Sequence, residues 1–147
     1  MALSVMLAWC GSLLGADFAI DLSARSGSIQ QSARSGPSVS QPVLAVHAGE
    51  MLVAQWSAAN PQSGTALRDI TLHVFMDLES PTGVAKPTAN AVYESAVILD
   101  FEPGAKGTGN FHMPAPGPGK YLLRVETIGA SKKMGREYVA AIKVSVL

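Results

Sequence analysis

Gly117-Pro118-Gly119-Lys120-Tyr121-Leu122-Leu123-Arg124-Val125-Glu126-Thr127 decides the fold. A Pro/Gly turn stops the chain, and the residues after it alternate so that Tyr121, Leu123 and Val125 share one face, the two-residue period of a half-buried strand. A tyrosine directly after such a turn can send its ring into a core while its hydroxyl ties down the neighbouring loop, as in the penultimate strand of a β-sandwich. The last element, Glu137 to Leu147, sets Tyr138, Ala140, Ile142, Val144 and Val146 on one row. It is expected to return as the hairpin partner of Tyr121 to Ile128, joined through Gly129 to Arg136.

Working back towards the N-terminus, the same rhythm repeats. Val92 to Phe101 alternates Tyr93, Val97 and Leu99 against Val92, Ala96 and Ile98, and Glu102 to Gly107 reads as a turn before a short strand through Asn110 to Met113. Ile70, Leu72, Val74 and Met76 alternate with Thr71, His73 and Phe75, and Phe75 on the polar row predicts that this second face is partly covered. Met51 to Ala59 predicts a strand with Leu52, Ala54, Trp56 and Ala58 inward, closed by Asn60-Pro61-Gln62-Ser63-Gly64. Pro42 to Ala48 is a first strand. About seven short strands at this spacing, with no long helical period after Gln41, predict an all-β antiparallel sandwich over residues 42–147. The loop from Leu78 to Ala91 is longer and richer in proline than a minimal sandwich needs, which marks it for specific binding.

Residues 21–41 are rich in Ser, Gly and Gln and carry a small duplication, Ser23-Ala24-Arg25-Ser26-Gly27 and Ser32-Ala33-Arg34-Ser35-Gly36. With few apolar groups to bury, this stretch reads as a flexible linker whose two arginines stand in solvent or touch an anionic surface. Before it, residues 1–20 contain an apolar run from Ala2 to Ala16, too short for a comfortable span and suited to a signal peptide or a retained membrane anchor. No Lys or Arg precedes the run, and Leu7-Ala8-Trp9-Cys10 superficially resembles a lipoprotein box with Trp9 where a small residue belongs. A buried N-terminal helix is the remaining alternative; an exported, periplasmic or cell-surface protein follows from the signal or anchor reading.

Lys+Arg and Asp+Glu both number 11 in 147 residues, which argues against a nucleic-acid partner. The sole cysteine, Cys10, precedes the domain, so the sandwich has no disulfide or thiolate chemistry and rests on packing.

Val46-His47-Ala48-Gly49-Glu50, Trp56-Ser57-Ala58-Ala59-Asn60, Leu72-His73-Val74-Phe75-Met76-Asp77, Leu99-Asp100-Phe101-Glu102-Pro103-Gly104 and Gly119-Lys120-Tyr121-Leu122-Leu123-Arg124-Val125 together resemble bacterial immunoglobulin-like domains of the CARDB and fibronectin-III type. The resemblance covers nearly all of residues 42–147. It implies an extracytoplasmic module for adhesion, spacing or subunit docking, with no shared catalytic residues to carry over.

Chemistry finds little purchase. His47, His73 and His112 show no H-x-x-x-H or H-E-x-x-H spacing, so a metal site would have to be assembled by the fold. The alternative worth testing is copper, with His112 and Met113 beside His73 and Met76, although Met76 falls on the opposite strand row from His73 and suits a core. Asp77 with Glu79, and Asp100 with Glu102, read as solvated strand termini before they read as calcium ligands or an acid/base pair. No G-x-S-x-G elbow or phosphate-binding glycine loop is present. A carbohydrate-binding or hydrolase reading would need an aromatic platform, for which only Phe75 and Tyr93 are candidates. The one concentration of charge is the hairpin tip, where Lys132, Lys133 and Arg136 around Met134 are the candidate contacts for a protein partner or lipid headgroups. The sequence therefore predicts a non-enzymatic accessory domain without a cofactor.

Overall fold

Strand β4, Met51–Ala59, shows how the sandwich is written into the chain: Leu52, Ala54, Trp56 and Ala58 are buried while Met51 and Gln55 stay exposed. The computed structural model describes residues 17–36, 41–79 and 91–147. Among them the remaining strands are β1 (Ala19–Ser26), β2 (Ile29–Arg34), β3 (Val43–Val46), β5 (Leu67–Leu78), β6 (Tyr93–Phe101), β7 (Lys106–Pro114), β8 (Gly119–Ile128) and β9 (Val139–Val146). They form a four-stranded sheet in the order β2-β1-β4-β7 and a five-stranded sheet in the order β3-β9-β8-β5-β6. The two sheets pack face to face around Leu22, Leu44, Leu52, Leu72, Met76, Leu123 and Ile142. All ladders are antiparallel except that of the short edge strand β3, which runs parallel to β9.

The tyrosine after the Pro/Gly turn behaves as its position predicts. Tyr121 is buried and its hydroxyl donates to the Gly117 carbonyl at 2.8 Å, four residues upstream. The β8–β9 hairpin forms in register from Gly119 opposite Val146 to Glu126 opposite Val139, and its connection contains one helical turn, Ser131–Met134.

Two elements differ from the expectation. The stretch 21–41 is not a tether in its first part: β1 and β2 form a hairpin, and β1 lies between β2 and β4. Phe18, Ile20, Leu22 and Ala24 supply a period-two apolar row that the core absorbs, and Gly27, at φ 59, opens a two-residue Gly27-Ser28 turn between Ser26 and Ile29, a position that favours glycine. Ser35 fastens the hairpin by exchanging hydrogen bonds with the backbone of Ile20. The sandwich thus has nine described strands where about seven were expected, and Phe18 to Ile20, expected within the apolar N-terminal segment, belong to its core. Residues 1–16, which carry the signal, anchor and lipoprotein readings, and residues 37–40 and 80–90 lie outside the described residues.

The second difference is β7, which starts at Lys106 where a turn was expected to continue. Its inward positions 107 and 109 are glycines because neighbours fill the space. A Cβ on Gly109 would stand 2.5 Å from the Trp56 ring, and one on Gly107 would stand 2.7 Å from Leu99. Glycine in a strand marks close approach by a neighbour as much as a turn.

Candidate functional site

The hairpin tip is built inward. The Glu137 carboxylate accepts from the backbone N–H groups of Ala130 and Ser131 and from the Thr127 hydroxyl, while that hydroxyl accepts from the Tyr138 N–H at 2.8 Å. Partial burial works to raise the Glu137 pKa, but these donors outweigh it and hold the carboxyl below its ordinary value. Met134, expected as an exposed apolar contact, is half-buried and packs against the core. Lys133 donates to the Arg68 and Asp69 carbonyls at 2.6 and 3.2 Å. The Arg136 guanidinium lies 4.6 Å from the centre of the Tyr138 ring and 3.6 Å from the Asp17 carboxylate. Of the four residues read as partner contacts, Lys132 is left exposed without one of these attachments. The tip is better described as a clasp on its own domain than as a free cationic patch.

The histidines are dispersed. His47 is exposed after β3, His112 is exposed on the outer face of the four-stranded sheet, and His73 is buried on the outer face of the five-stranded sheet. The structure does not bring His73 and His112 together. Met113 and Met76 both turn into the core layer, so neither thioether joins a histidine outside. Among the described residues no group of three His, Cys, Asp or Glu side chains is arranged to hold a metal ion.

The paired carboxylates are engaged in the fold. Asp77 is buried, in contrast to the solvated terminus expected, and accepts from the Leu78 N–H. Glu79 pairs with Lys143 at 3.3 Å, Asp100 accepts from the Asp69 N–H at 2.9 Å, and Glu102 pairs with Arg68. The Asp69 bond steadies a residue at φ 54, where β5 shifts register against β6.

The outer face of the five-stranded sheet is the most differentiated surface. His73 Nε2 stands 3.0 Å from a Glu94 oxygen and its Nδ1 3.9 Å from Glu126, which is itself held by Arg124 at 2.8 Å. Beside this line Phe75, Leu122 and Ala141 form a second buried apolar cluster, so the covering predicted from Phe75 is present. Phe75 therefore offers no exposed platform, and Tyr93 lies stacked on Phe111 with ring centres 3.8 Å apart. Farther along, Ile98 and Ile128 flank Thr71 in one cross-strand row and remain 65% and 48% exposed. This ledge runs out to β6, whose one strand neighbour among the described residues is β5. In the sequence Ile98 falls on the row opposite Tyr93, but nothing in one strand says whether its second face will be covered.

The outer face of the four-stranded sheet differs in kind. A shallow depression of about 610 Å³ is lined there by polar side chains, among them Asp21, Arg34, Gln55, Thr108 and Asn110, with Trp56 at its base. Such a surface can exchange hydrogen bonds with water or a polar ligand. No family model and no curated protein matches the chain.

Proposed function

We propose that this chain is an exported, non-enzymatic accessory domain of immunoglobulin-like type that docks to a protein partner in a cell-envelope or membrane-associated assembly. The observation that carries the reading is the exposed Ile98–Thr71–Ile128 ledge on the outer face of the five-stranded sheet. Large aliphatic side chains exposed on a sheet face gain by being covered, at about 25 cal/mol per Å² of apolar area removed from water. The hydroxyl of Tyr121 on the Gly117 carbonyl supports the fibronectin-III-like assignment, since a tyrosine so tied near the start of the penultimate strand is a hallmark of such sandwiches. The apolar run from Ala2 to Ala16 supports export and a membrane-proximal location.

The test is mild chemical crosslinking of native cell envelopes, followed by sizing of the complex that contains the chain. The expected result is a stoichiometric complex that excess purified protein displaces in competition. Recovery of the chain as an uncrosslinked monomer would remove the docking reading.

A further inference from the structure

The geometry points to the outer edge of β6, which has no strand beside it among the described residues, as a docking edge that takes one added strand from a partner polypeptide, an extended segment with apolar residues at alternate positions and cationic residues at its ends. This inference rests on the docking reading and gives it an address.

Sheet edges expose backbone N–H and C=O groups that pair readily with another strand, and proteins usually guard them with charge, proline, glycine-bearing irregularity or shortness. Among the described residues the sandwich has four edges: β2, β3, β6 and β7. Strand β3 is four residues long. Strand β2 carries Gln30, Gln31 and Arg34. Strand β7 carries Lys106, two glycines and His112 and ends on Pro114. Strand β6 is nine residues long, and its centre, Ser95-Ala96-Val97-Ile98-Leu99, holds no charge, proline or glycine. An edge of this kind left open in solution invites pairing.

What it fits follows from its ends. Glu94 and Asp100 flank the apolar centre, and β6 carries no cation. Antiparallel pairing of two copies about Val97 would set each Glu94 opposite the other copy's Asp100 on the same face, and directly opposed like charges destabilise a ladder. A foreign strand bearing Lys or Arg at those places meets the same carboxylates favourably. Its alternate apolar residues would stand beside Ala96 and Ile98 on the outer side, and the residues between them beside half-buried Val97 and Leu99 on the inner side. Backbone pairing then supplies affinity and the alternating side chains supply specificity.

The experiment titrates the full chain with a synthetic peptide of about seven residues, alternating valine and threonine with lysine at each end so that both lysines share the valine face, against the same peptide ended in glutamate. Fluorescence anisotropy reads affinity, and amide hydrogen exchange reads where the peptide lies. The expected result is new protection in β6, none in β7, and an affinity for the lysine-ended peptide at least about tenfold higher. Ile98→Lys and, independently, Ala96→Lys, both at exposed positions, should each abolish the β6 protection. Unchanged exchange in β6, equal binding of the two peptides, or a chain that sediments alone as a dimer with β6 protected would each overturn the inference. If the crosslinked envelope complex survives Ile98→Lys, docking stands and this edge is wrong. If wild-type envelopes yield no complex, the broader reading falls.

Discussion

The hairpin tip at residues 129–137 and the strand β6 present opposite cases. The tip concentrates three cations and a methionine in five residues and has the composition of a contact site, yet Lys133, Met134 and Arg136 are attached to the domain that carries them. Strand β6 has the composition of an ordinary strand, yet Ile98 on its outer row stands in solvent. A surface becomes available for a partner when its side chains have no work inside the fold, and local charge is a poor guide to that.

The comparison breaks most visibly where the tip is rooted. Tyr138 is buried, and Phe18 meets its ring edge-on at 5.3 Å between centres while Arg136 lies over it. Tyr138→Ala should therefore destabilise the domain by roughly 3 kcal/mol through lost burial and the cavity left behind, read as a lowered urea midpoint. A midpoint within error of wild type would show that the tip is not fastened there.

Thr127→Val probes the same clasp with less disruption of packing. It removes the oxygen that accepts the buried Tyr138 N–H and the hydroxyl that donates to Glu137. Leaving a buried donor unpaired costs about 1–3 kcal/mol. Thr127→Ser should recover most of that loss in the same denaturation series.

Glu137 gives the clasp a pH dependence. Its pKa is lower in the folded chain than the ordinary 4.5, so the unfolded chain takes up the proton first as the pH falls. The stabilisation is fully present above about that ordinary value and is lost as the pH drops through the folded value. Because Glu137 is largely solvent-exposed, the effect is modest: Glu137→Gln should cost roughly 0.5–1 kcal/mol at neutral pH, as for loss of a capping side chain. The same substitution should flatten the fall in stability below that ordinary value seen by thermal unfolding. Identical pH profiles would detach the carboxylate from the clasp.

How much of this was legible follows from the same contrast. Strand β4 could be read residue by residue because its inward row is uniformly apolar and its ends carry turn residues. The β1–β2 hairpin was hidden by its own chemistry: the outward row, Asp21, Ser23 and Arg25, is polar, and the inward residues that follow Leu22 are small. Small residues suffice there because β1 is flanked on both sides, a tertiary circumstance no short window contains. Strand β7 was shortened in reading by glycines that exist to admit Trp56 and Leu99. At the tip the charge is visible in the sequence, but the partners Arg68, Asp69 and Asp17 that engage it lie far away in sequence. Cross-strand rows such as Ile98–Thr71–Ile128 appear only once register is known.

The smallest stability effect carries the most information about the comparison. Ile98 is 65% exposed and sits on an edge strand, so Ile98→Lys removes little buried area and should leave folding stability within about 0.5 kcal/mol of wild type. Lysine on an edge strand also opposes pairing with another chain. The variant should therefore melt with the wild type while no longer taking up the lysine-bearing strand that the wild type binds, a difference that fluorescence anisotropy measures directly. If the variant instead unfolds several degrees earlier, Ile98 serves the fold after all, and the distinction between an edge held for a partner and a tip held for the domain disappears.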